Sequence, residues 1–261
     1  MAKGVLVDLT KCVGCGSCTV ACKLWNDLEY DDKNPTLGDK AKLSDKNWTV
    51  VHFNQVASQE GKPVWRFVKQ QCLHCQEPAC ASACFAKALQ KTPEGPVVYY
   101  PHLCVGCRYC MIACPFNIPK YEWEKTFPLV SKCQMCSTKV AKGEAPACVS
   151  VCPAGVFTFG ERDEMLKAAK SAIIQDNRYI KEVYGENQAG GTSWLYISDV
   201  PFATLGFNVN LGTIPLPTYS HNFLKYTPIV AVSWGVILTG LYHYTKRRNE
   251  IAKDSNKNVK L

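Results

Sequence analysis

The first 160 residues alternate short apolar runs with turn residues. Two runs rich in β-branched and aromatic residues lie at 49–53 and 97–100, and Gly, Pro, Asn and Asp are frequent between such runs. This pattern predicts short strands joined by tight connections. We therefore expect residues 1–160 to form small, repeated α+β units.

The pattern changes after residue 160 to the period of an amphipathic helix. Apolar residues recur at helical spacing among Lys, Asp and Glu: Met165, Leu166, Ala169, Ile173 and Ile180. We predict a helix over residues 161–184 that ends before Gly185. Residues 185–225 are irregular, rich in Gly and Pro, and contain several large apolar side chains, and we expect this segment to lie along the surface of a partner protein.

Residues 226–244 contain no Asp, Glu, Lys or Arg. Their 19 residues approach the ~20 that a helix needs to cross a bilayer, and tyrosines occur at both ends of the run. We predict a transmembrane helix here, followed by a basic tail over residues 245–261. The alternative is a buried helix of a soluble core.

Cysteine dominates the composition, with 16 in 261 residues. The cysteines form four groups of four: Cys12, Cys15, Cys18 and Cys22; Cys72, Cys75, Cys80 and Cys84; Cys104, Cys107, Cys110 and Cys114; Cys133, Cys136, Cys148 and Cys152. Disulfide frameworks of this density belong to short secreted chains. Residues 1–5 lead directly into the first group without the pattern of a signal peptide, so we expect maturation to begin in a reducing cytoplasm.

The net charge of +8 raises the question of nucleic-acid binding. A nucleic-acid surface usually presents a basic stripe interleaved with aromatic residues, whereas the basic residues of this chain are scattered along it. We therefore predict no nucleic-acid partner.

The third cysteine group carries the most specific motif of the chain. Its run, Cys104-Val-Gly-Cys107-Arg-Tyr-Cys110-Met-Ile-Ala-Cys114-Pro115, has the spacing of bacterial ferredoxins. In that spacing three thiolates hold one iron cube and the fourth points to a neighbouring cube, so clusters come in pairs. The first group has the same spacing, and the second and fourth have longer loops before their third cysteine.

Structural zinc is the competing interpretation, because paired Cys-x-x-Cys motifs also bind zinc. Each group here has a further cysteine that three residues separate from its last one, and five histidines are too few to complete zinc sites. For a b-type haem the predicted span offers His243 alone. We expect His74, between Cys72 and Cys75, to tune a cluster through its surroundings.

With these residues in view, the chain resembles the four-cluster ferredoxin-type subunit of membrane-bound respiratory oxidoreductases, such as formate dehydrogenases and hydrogenases. The resemblance covers almost the whole chain and rests on residues 12–26, 71–84, 104–119 and 133–160. Gly190-Gly191-Thr192 before an apolar run, followed by the C-terminal span, is similar to the anchored branch: formate dehydrogenase beta subunits and the ferredoxin subunit of uptake hydrogenase 2. Residues 198–202 favour the hydrogenase type weakly.

The resemblance implies tandem bacterial-ferredoxin-like units related by an internal pseudo-two-fold, in which ligands are shared between groups one and four and between groups two and three. It implies four 4Fe-4S clusters in four sites. Site A is Cys12, Cys15, Cys18 and Cys152; site B is Cys22, Cys133, Cys136 and Cys148; site C is Cys72, Cys75, Cys80 and Cys114; site D is Cys84, Cys104, Cys107 and Cys110.

The resemblance also implies a non-catalytic electron-transfer subunit. We expect it to relay electrons between a catalytic hydrogenase or molybdopterin-type subunit and a multi-span membrane subunit of quinone-reactive or cytochrome b type. No nucleophile with its base and no phosphate-binding loop is apparent in the sequence. A soluble polyferredoxin shuttle and a zinc-binding interaction protein are the alternatives.

Charge beside the predicted span bears on its orientation. Lys246, Arg247 and Arg248 follow it, then Lys253, Lys257 and Lys260, whereas Lys225 stands before it. Basic residues near a span favour the cytoplasmic side. We expect a single-pass protein of the cytoplasmic membrane with a cytoplasmic C-terminus and a periplasmic cluster domain, exported with a catalytic subunit that bears a twin-arginine signal. The alternative keeps the cluster domain in the cytoplasm.

Overall fold

The computed structural model describes residues 2–58 and 60–258. The chain divides into two compact units, one that ends at Pro217 and one that begins at Thr218. The strands are β1 (Lys3–Asp8), β2 (Val50–Ala57), β3 (Pro63–Gln70), β4 (Leu89–Lys91), β5 (Val97–Tyr99), β6 (Lys120–Tyr121), β7 (Val130–Ser131), β8 (Phe157–Glu161) and β9 (Trp194–Ile197). The α-helices are α1 (Ser17–Asn26), α2 (Ala79–Ser82), α3 (Tyr109–Ala113), α4 (Ser137–Val140), α5 (Ala147–Ser150), α6 (Arg162–Gln175), α7 (Leu216–Leu224) and α8 (Thr227–Asn258).

A three-stranded sheet joins distant parts of the first unit. β1 lies in its centre, antiparallel to β8 and parallel to β9, with Val5 opposite both Phe159 and Trp194. Both faces of β1 are covered, which explains its nearly continuous apolar sequence. Leu6 packs with the α6 residues Met165 and Ala169, and Val5 and Val7 face the core that contains cysteines.

Four small helices pack in two pairs. α1 contacts α5, and α2 contacts α3. α1 carries cysteines of the first group and α5 one of the fourth, while α2 and α3 carry cysteines of the second and third groups. The tandem ferredoxin-like architecture predicted from the sequence is confirmed, and this packing brings together the groups that the resemblance pairs. Of the two predicted β-prone runs, residues 50–53 lie in β2 and residues 97–99 in β5.

The amphipathic helix is shorter than predicted. α6 ends at Gln175, whereas the sequence pattern predicted a helix to residue 184. Residues 176–184 instead run beside β9: the Ile180 amide donates to the Ser198 carbonyl (2.9 Å), and Tyr184 and Tyr196 exchange two backbone hydrogen bonds of 3.0 and 2.9 Å. Pairing with a buried strand satisfies backbone groups and buries Tyr179 and Tyr184, which here outweighs the local helical pattern.

The predicted partner-docking segment, residues 185–225, also needs correction. Its residues Trp194, Leu195, Tyr196 and Phe202 are all buried inside this chain. They are apolar because β9 completes the sheet beside β1 and Phe202 packs in the same core. The apolar content of this stretch therefore reflects the core of the chain, and most side chains after residue 206 are exposed.

α8 is the one helix among the described residues that is long and apolar enough to cross a membrane, and the apolar window lies within Leu216–Ala252. Pro228 occupies its first turn, where a missing N–H costs little. The hydroxyls of Ser233 and Thr239 donate to carbonyls four residues earlier, so they need no external partner in hydrocarbon. Its side chains from residue 227 to 252 are exposed, and residues 259–261 of the predicted basic tail lie outside the described residues.

Candidate iron-sulfur sites

The four cysteine groups share one local conformation. In each group the residue just before the second cysteine is left-handed: Gly14 (φ 69°), His74 (φ 51°), Gly106 (φ 70°) and Met135 (φ 53°). Glycine adopts this conformation freely, but His and Met do so at a cost of about 1 kcal/mol or more. Because the same turn recurs despite that cost, the conformation is a shared requirement of the four sites.

The turn aims backbone N–H groups at the cysteine sulfurs. The Gly106 amide lies 3.5 Å from Cys104 Sγ, and the Met135 amide lies 3.3 Å from Cys133 Sγ. At Gly14 a Cβ atom would lie 2.7 Å from the ring of Phe67, so glycine is also required there by close packing. Amides that face a sulfur stabilise the thiolate, which is the form that binds metal.

Three cavities of the first unit are each lined by four cysteines. The first contains the site A residues Cys12, Cys15, Cys18 and Cys152. The second contains the site B residues Cys22, Cys133, Cys136 and Cys148. The third contains the site D residues Cys84, Cys104, Cys107 and Cys110. Each cavity thus draws one cysteine from a different group than the other three.

The site C cysteines also lie close to one another. Burial raises the pKa of Cys75, and the nearby thiolates of Cys72, Cys114 and Cys80 raise it further. Burial likewise raises the pKa of Cys80 to about 12, and the nearby thiolate of Cys72 also raises it. Buried thiols that repel one another as thiolates stay protonated until a cation neutralises them, and bound iron would displace these protons.

These arrangements fit iron-sulfur cubes better than single ions. All 16 cysteines are free of disulfides. Among residues 2–58 and 60–258, no three His, Cys, Asp or Glu side chains converge closely enough to hold one metal ion. Four sulfurs spread around a cavity suit a larger group, because a cube places its four irons apart and each takes one thiolate.

The four sites are linked as neighbours within the first unit. Sites A and B share α1, which carries Cys18 and Cys22. Sites D and C share α3 in a similar way, because Cys110 lies in its first turn and Cys114 directly follows its last residue. Sites B and C adjoin through Cys133. Burial is the main cause that raises the pKa of Cys133, and the nearby thiolate of Cys72 raises it further. Site A thus neighbours site B, site B neighbours site C, and site C neighbours site D. Of the 16 cysteines, only Cys15 in site A and Cys107 in site D are exposed.

The site B cavity also contains polar groups that the sequence did not indicate. Thr49 Oγ1 and Trp194 Nε1 line it, both are buried, and neither has a hydrogen-bond partner within the part of the chain that the structure describes. Orphaned donors of this kind usually face a group that can accept a hydrogen bond, and cluster sulfides can do so. Neither residue lies near Cys22 or Cys133 in sequence, so no local motif could reveal them.

His74 lies inside the turn of the second cysteine group. It is fully buried, its Nδ1 accepts a hydrogen bond of 2.8 Å from the Val97 amide, and its Nε2 lacks a partner among the described residues. Burial holds the pKa of His74 well below its usual value, with Lys132 acting in the same direction. The ring therefore fastens the Cys72–Cys75 turn to β5, and any effect on a cluster stays a prediction.

A further cavity of the first unit shares Lys69 with the site A and site B cavities. It measures about 540 Å³ and is lined by residues such as His52, Gln70, Phe116 and Asn117, but by no cysteine. Because it has no cysteine in its lining, this cavity does not form a fifth cysteine site.

Comparison with known proteins identifies the type of domain that contains these cysteines. Residues 11–88 and 63–162 each match a 4Fe-4S dicluster domain, and together they span all 16 cysteines. The chain therefore carries clusters of 4Fe-4S type.

Three similar proteins cover most of this chain. A protein of Nitratidesulfovibrio vulgaris with no functional name is 46% identical over 96% of this chain and 69% of its own length. The hydrogenase-2 operon protein HybA of Escherichia coli O157:H7 is 33% identical over 77% of this chain and 71% of its own length. The formate dehydrogenase-O iron-sulfur subunit of Escherichia coli K12 is 33% identical over 92% of this chain and 81% of its own length. The chain belongs to the family of 4Fe-4S electron-transfer subunits that includes HybA and the formate dehydrogenase iron-sulfur subunits.

Proposed function

We propose that this chain relays electrons between a catalytic subunit of hydrogenase or formate dehydrogenase type and a quinone-reactive or cytochrome b-type membrane subunit. The proposal includes four 4Fe-4S clusters, one in each of sites A to D, which supply one-electron redox states when bound. The observation that carries it is that neighbouring sites draw ligands from shared segments of the chain, with an exposed cysteine in site A and another in site D.

The ligand sharing supports a relay because it keeps neighbouring sites close. Cys18 of site A and Cys22 of site B lie four residues apart on α1, a rise of about 6 Å along the helix. Cys110 and Cys114 join sites D and C in the same way across α3. A single short helix thus holds one ligand of each of two neighbouring sites and limits their separation.

Exposed apolar side chains at both ends of the series support two docking partners. Val13 lines the site A cavity and is 61% exposed, and Val105 lines the site D cavity and is 62% exposed; Ile112, two residues after the site D residue Cys110 on α3, is 84% exposed. Apolar surface next to an exposed ligand is typical of a protein interface. One partner at each end would exclude water and bring its own redox centre near the terminal cluster.

We expect about sixteen iron and sixteen acid-labile sulfide ions per purified chain, because each of four cubes contains four of each. Metal and sulfide analysis with the visible spectrum measures this. Zinc in place of iron, or about half the iron with all cysteines intact, would contradict four-cluster loading.

Metal analysis of the intact complex also distinguishes the catalytic partner: molybdenum or tungsten indicates a formate dehydrogenase type, and nickel a hydrogenase.

The proposal also assigns the chain to the cytoplasmic membrane as a single-pass protein with its cluster domain in the periplasm. Lys246, Arg247 and Arg248 directly follow the apolar part of α8, and basic residues favour the cytoplasmic side. Of the further basic residues in the tail, Lys260 lies outside the described residues.

Protease added to intact spheroplasts should digest the cluster domain, because the proposed orientation exposes it outside the membrane. Immunoblotting for the cluster domain measures the result, and a cytoplasmic marker protein that stays intact is the control. Protection of residues 1–225 under conditions that digest a periplasmic marker would reverse the orientation.

A soluble polyferredoxin shuttle is the second candidate, since the first unit alone contains every cysteine. Alkaline-carbonate extraction separates the two functions, because an integral helix stays in the membrane pellet and a shuttle leaves it. Recovery of the chain in the supernatant would favour the shuttle.

A further inference from the structure

A buried lysine lies between two of the cysteine sites. Lys69, on β3, is 4% exposed and lines both the site A cavity and the site B cavity. Its Nζ donates a hydrogen bond of 3.0 Å to Gln71 Oε1 and lies 4.6 Å from the centre of the Trp194 ring. The ammonium is therefore held in place by a neutral amide and an aromatic face.

The charge of Lys69 is not balanced by a carboxylate in the part of the chain that the structure describes. Among the described residues no Asp or Glu forms an ion pair with it. A buried ammonium without an anionic partner is unfavourable. Lys69 instead lines two cavities whose cysteines include Cys18, Cys22, Cys133 and Cys148.

The cysteines around Lys69 belong to two sites at once. Cys18 is a site A residue, while Cys22, Cys133 and Cys148 are site B residues. Reduction adds one negative charge to a cluster, and a fixed cation nearby stabilises that charge strongly where water is excluded. Cluster potentials respond to local charge and solvent exposure.

We propose that Lys69 is a shared potential-setting residue, a buried cation that raises the reduction potentials of the clusters in sites A and B together. The inference rests on the proposed occupancy of these two sites. A cation between two neighbouring clusters shifts both potentials in the same direction, so both clusters become easier to reduce while the difference between their potentials changes little.

The test is Lys69→Met in the intact complex, followed by redox titration monitored by EPR. The signals of sites A and B are assigned with Cys15→Ser and Cys136→Ser, because each of these residues lines one cavity only. Each of the two clusters should become at least tenfold harder to reduce, a downward shift of about 59 mV for a one-electron couple. The potentials of sites C and D should change much less.

Lys11→Met is the matched control. Lys11 adjoins the site A residue Cys12, but its side chain is 54% exposed and pairs with Asp8. Solvent screens such a charge, so its removal should leave the potentials of sites A and B nearly unchanged. Equal shifts in the Lys11 and Lys69 variants would overturn the assignment of a specific role to Lys69.

Gln71→Glu provides a second variant that retains Lys69 and nearly preserves shape. Its carboxylate would lie where Gln71 Oε1 now accepts from Lys69 and would neutralise the ammonium, so the potentials of sites A and B should again fall. Lys69→Arg, which keeps the charge, should restore potentials near those of the original protein. Unchanged potentials in Lys69→Met or Gln71→Glu, with full iron content, would overturn the inference while leaving the proposed function intact. Failure of the proposed function would appear separately, as missing clusters in the unaltered chain.

Discussion

Replacing Cys152 by serine should abolish or strongly alter the cluster in site A, with a loss of up to about a quarter of the bound iron if four cubes are present. Cys152 is four residues from the site B residue Cys148, yet it lines the cavity with Cys12, Cys15 and Cys18. The pKa of Cys12 is raised chiefly by burial, and the Cys152 thiolate nearby also raises it. Serine oxygen is a poorer iron ligand than thiolate, so the cube at that position should be lost or changed.

The measurement is EPR of the reduced protein together with its iron content. Cys148→Ser is the matched comparison, because Cys148 lies on α5, only four residues before Cys152, but lines the site B cavity. Ser150→Ala, between them on the exposed side of α5, should alter neither signal. If Cys152→Ser changed only the signal that Cys148→Ser changes, the crossed ligand assignment would be wrong.

Removing residues 218–261 should release the chain from the membrane almost completely. The side chains of α8 from residue 227 to 252 are exposed, and α8 is the one candidate span within the described part of the chain. Sixteen cysteines all precede the cut, so the truncated chain should retain its iron and its visible spectrum. Membrane fractionation of cells that make the whole complex measures the result, with the full chain as control.

A retained truncated chain would mean that docking to partner subunits alone holds it at the membrane.

The full chain made without its membrane partner is the complementary case. Its span has seven strongly favourable aliphatic residues: Ile229, Val230, Val232, Val236, Ile237, Leu238 and Leu241. At about −0.3 to −0.6 kcal/mol each, they favour insertion by only about 2 to 4 kcal/mol, before polar residues such as Ser233 and His243 subtract.

Insertion of α8 by itself is thus marginal, and we expect a membrane subunit to complete it. Gly235 and Gly240 on α8 have open space where a Cβ would stand, so they can accept close approach by another helix. Stable membrane retention of the full chain without any partner would contradict this dependence.

The local parts of the sites could be predicted from the sequence. Cysteine spacing in the third group specifies a turn that presents three thiolates together, because that geometry depends on a few adjacent backbone angles. The uncharged run 226–244 likewise predicted a helix that could span a bilayer, since hydropathy and length act within one segment. Both predictions agree with the structure because neither needs a distant contact.

Other predictions failed or stayed open because distant contacts decide them. The helical pattern over residues 161–184 was overruled after Gln175, where backbone pairing with β9 buries Tyr179 and Tyr184. Spacing alone also leaves open which group supplies the fourth cysteine of each site. The resemblance provided that pairing, and the packing of α1 with α5 brings the corresponding cysteines to one cavity.

Lys69 shows most clearly what tertiary structure adds. The alternation along β3 places it on the same side of the strand as Trp65 and Phe67, which is an unusual position for lysine and a signal that could have been noticed. Its neighbours at sites A and B, however, come from α1, the loop at Cys133 and α5. The sequence by itself determined four cysteine turns and an apolar C-terminal helix, since these depend on adjacent residues. Only the folded chain decided which turns meet and which charge lies between them, because burial and electrostatic interaction depend on distance in space.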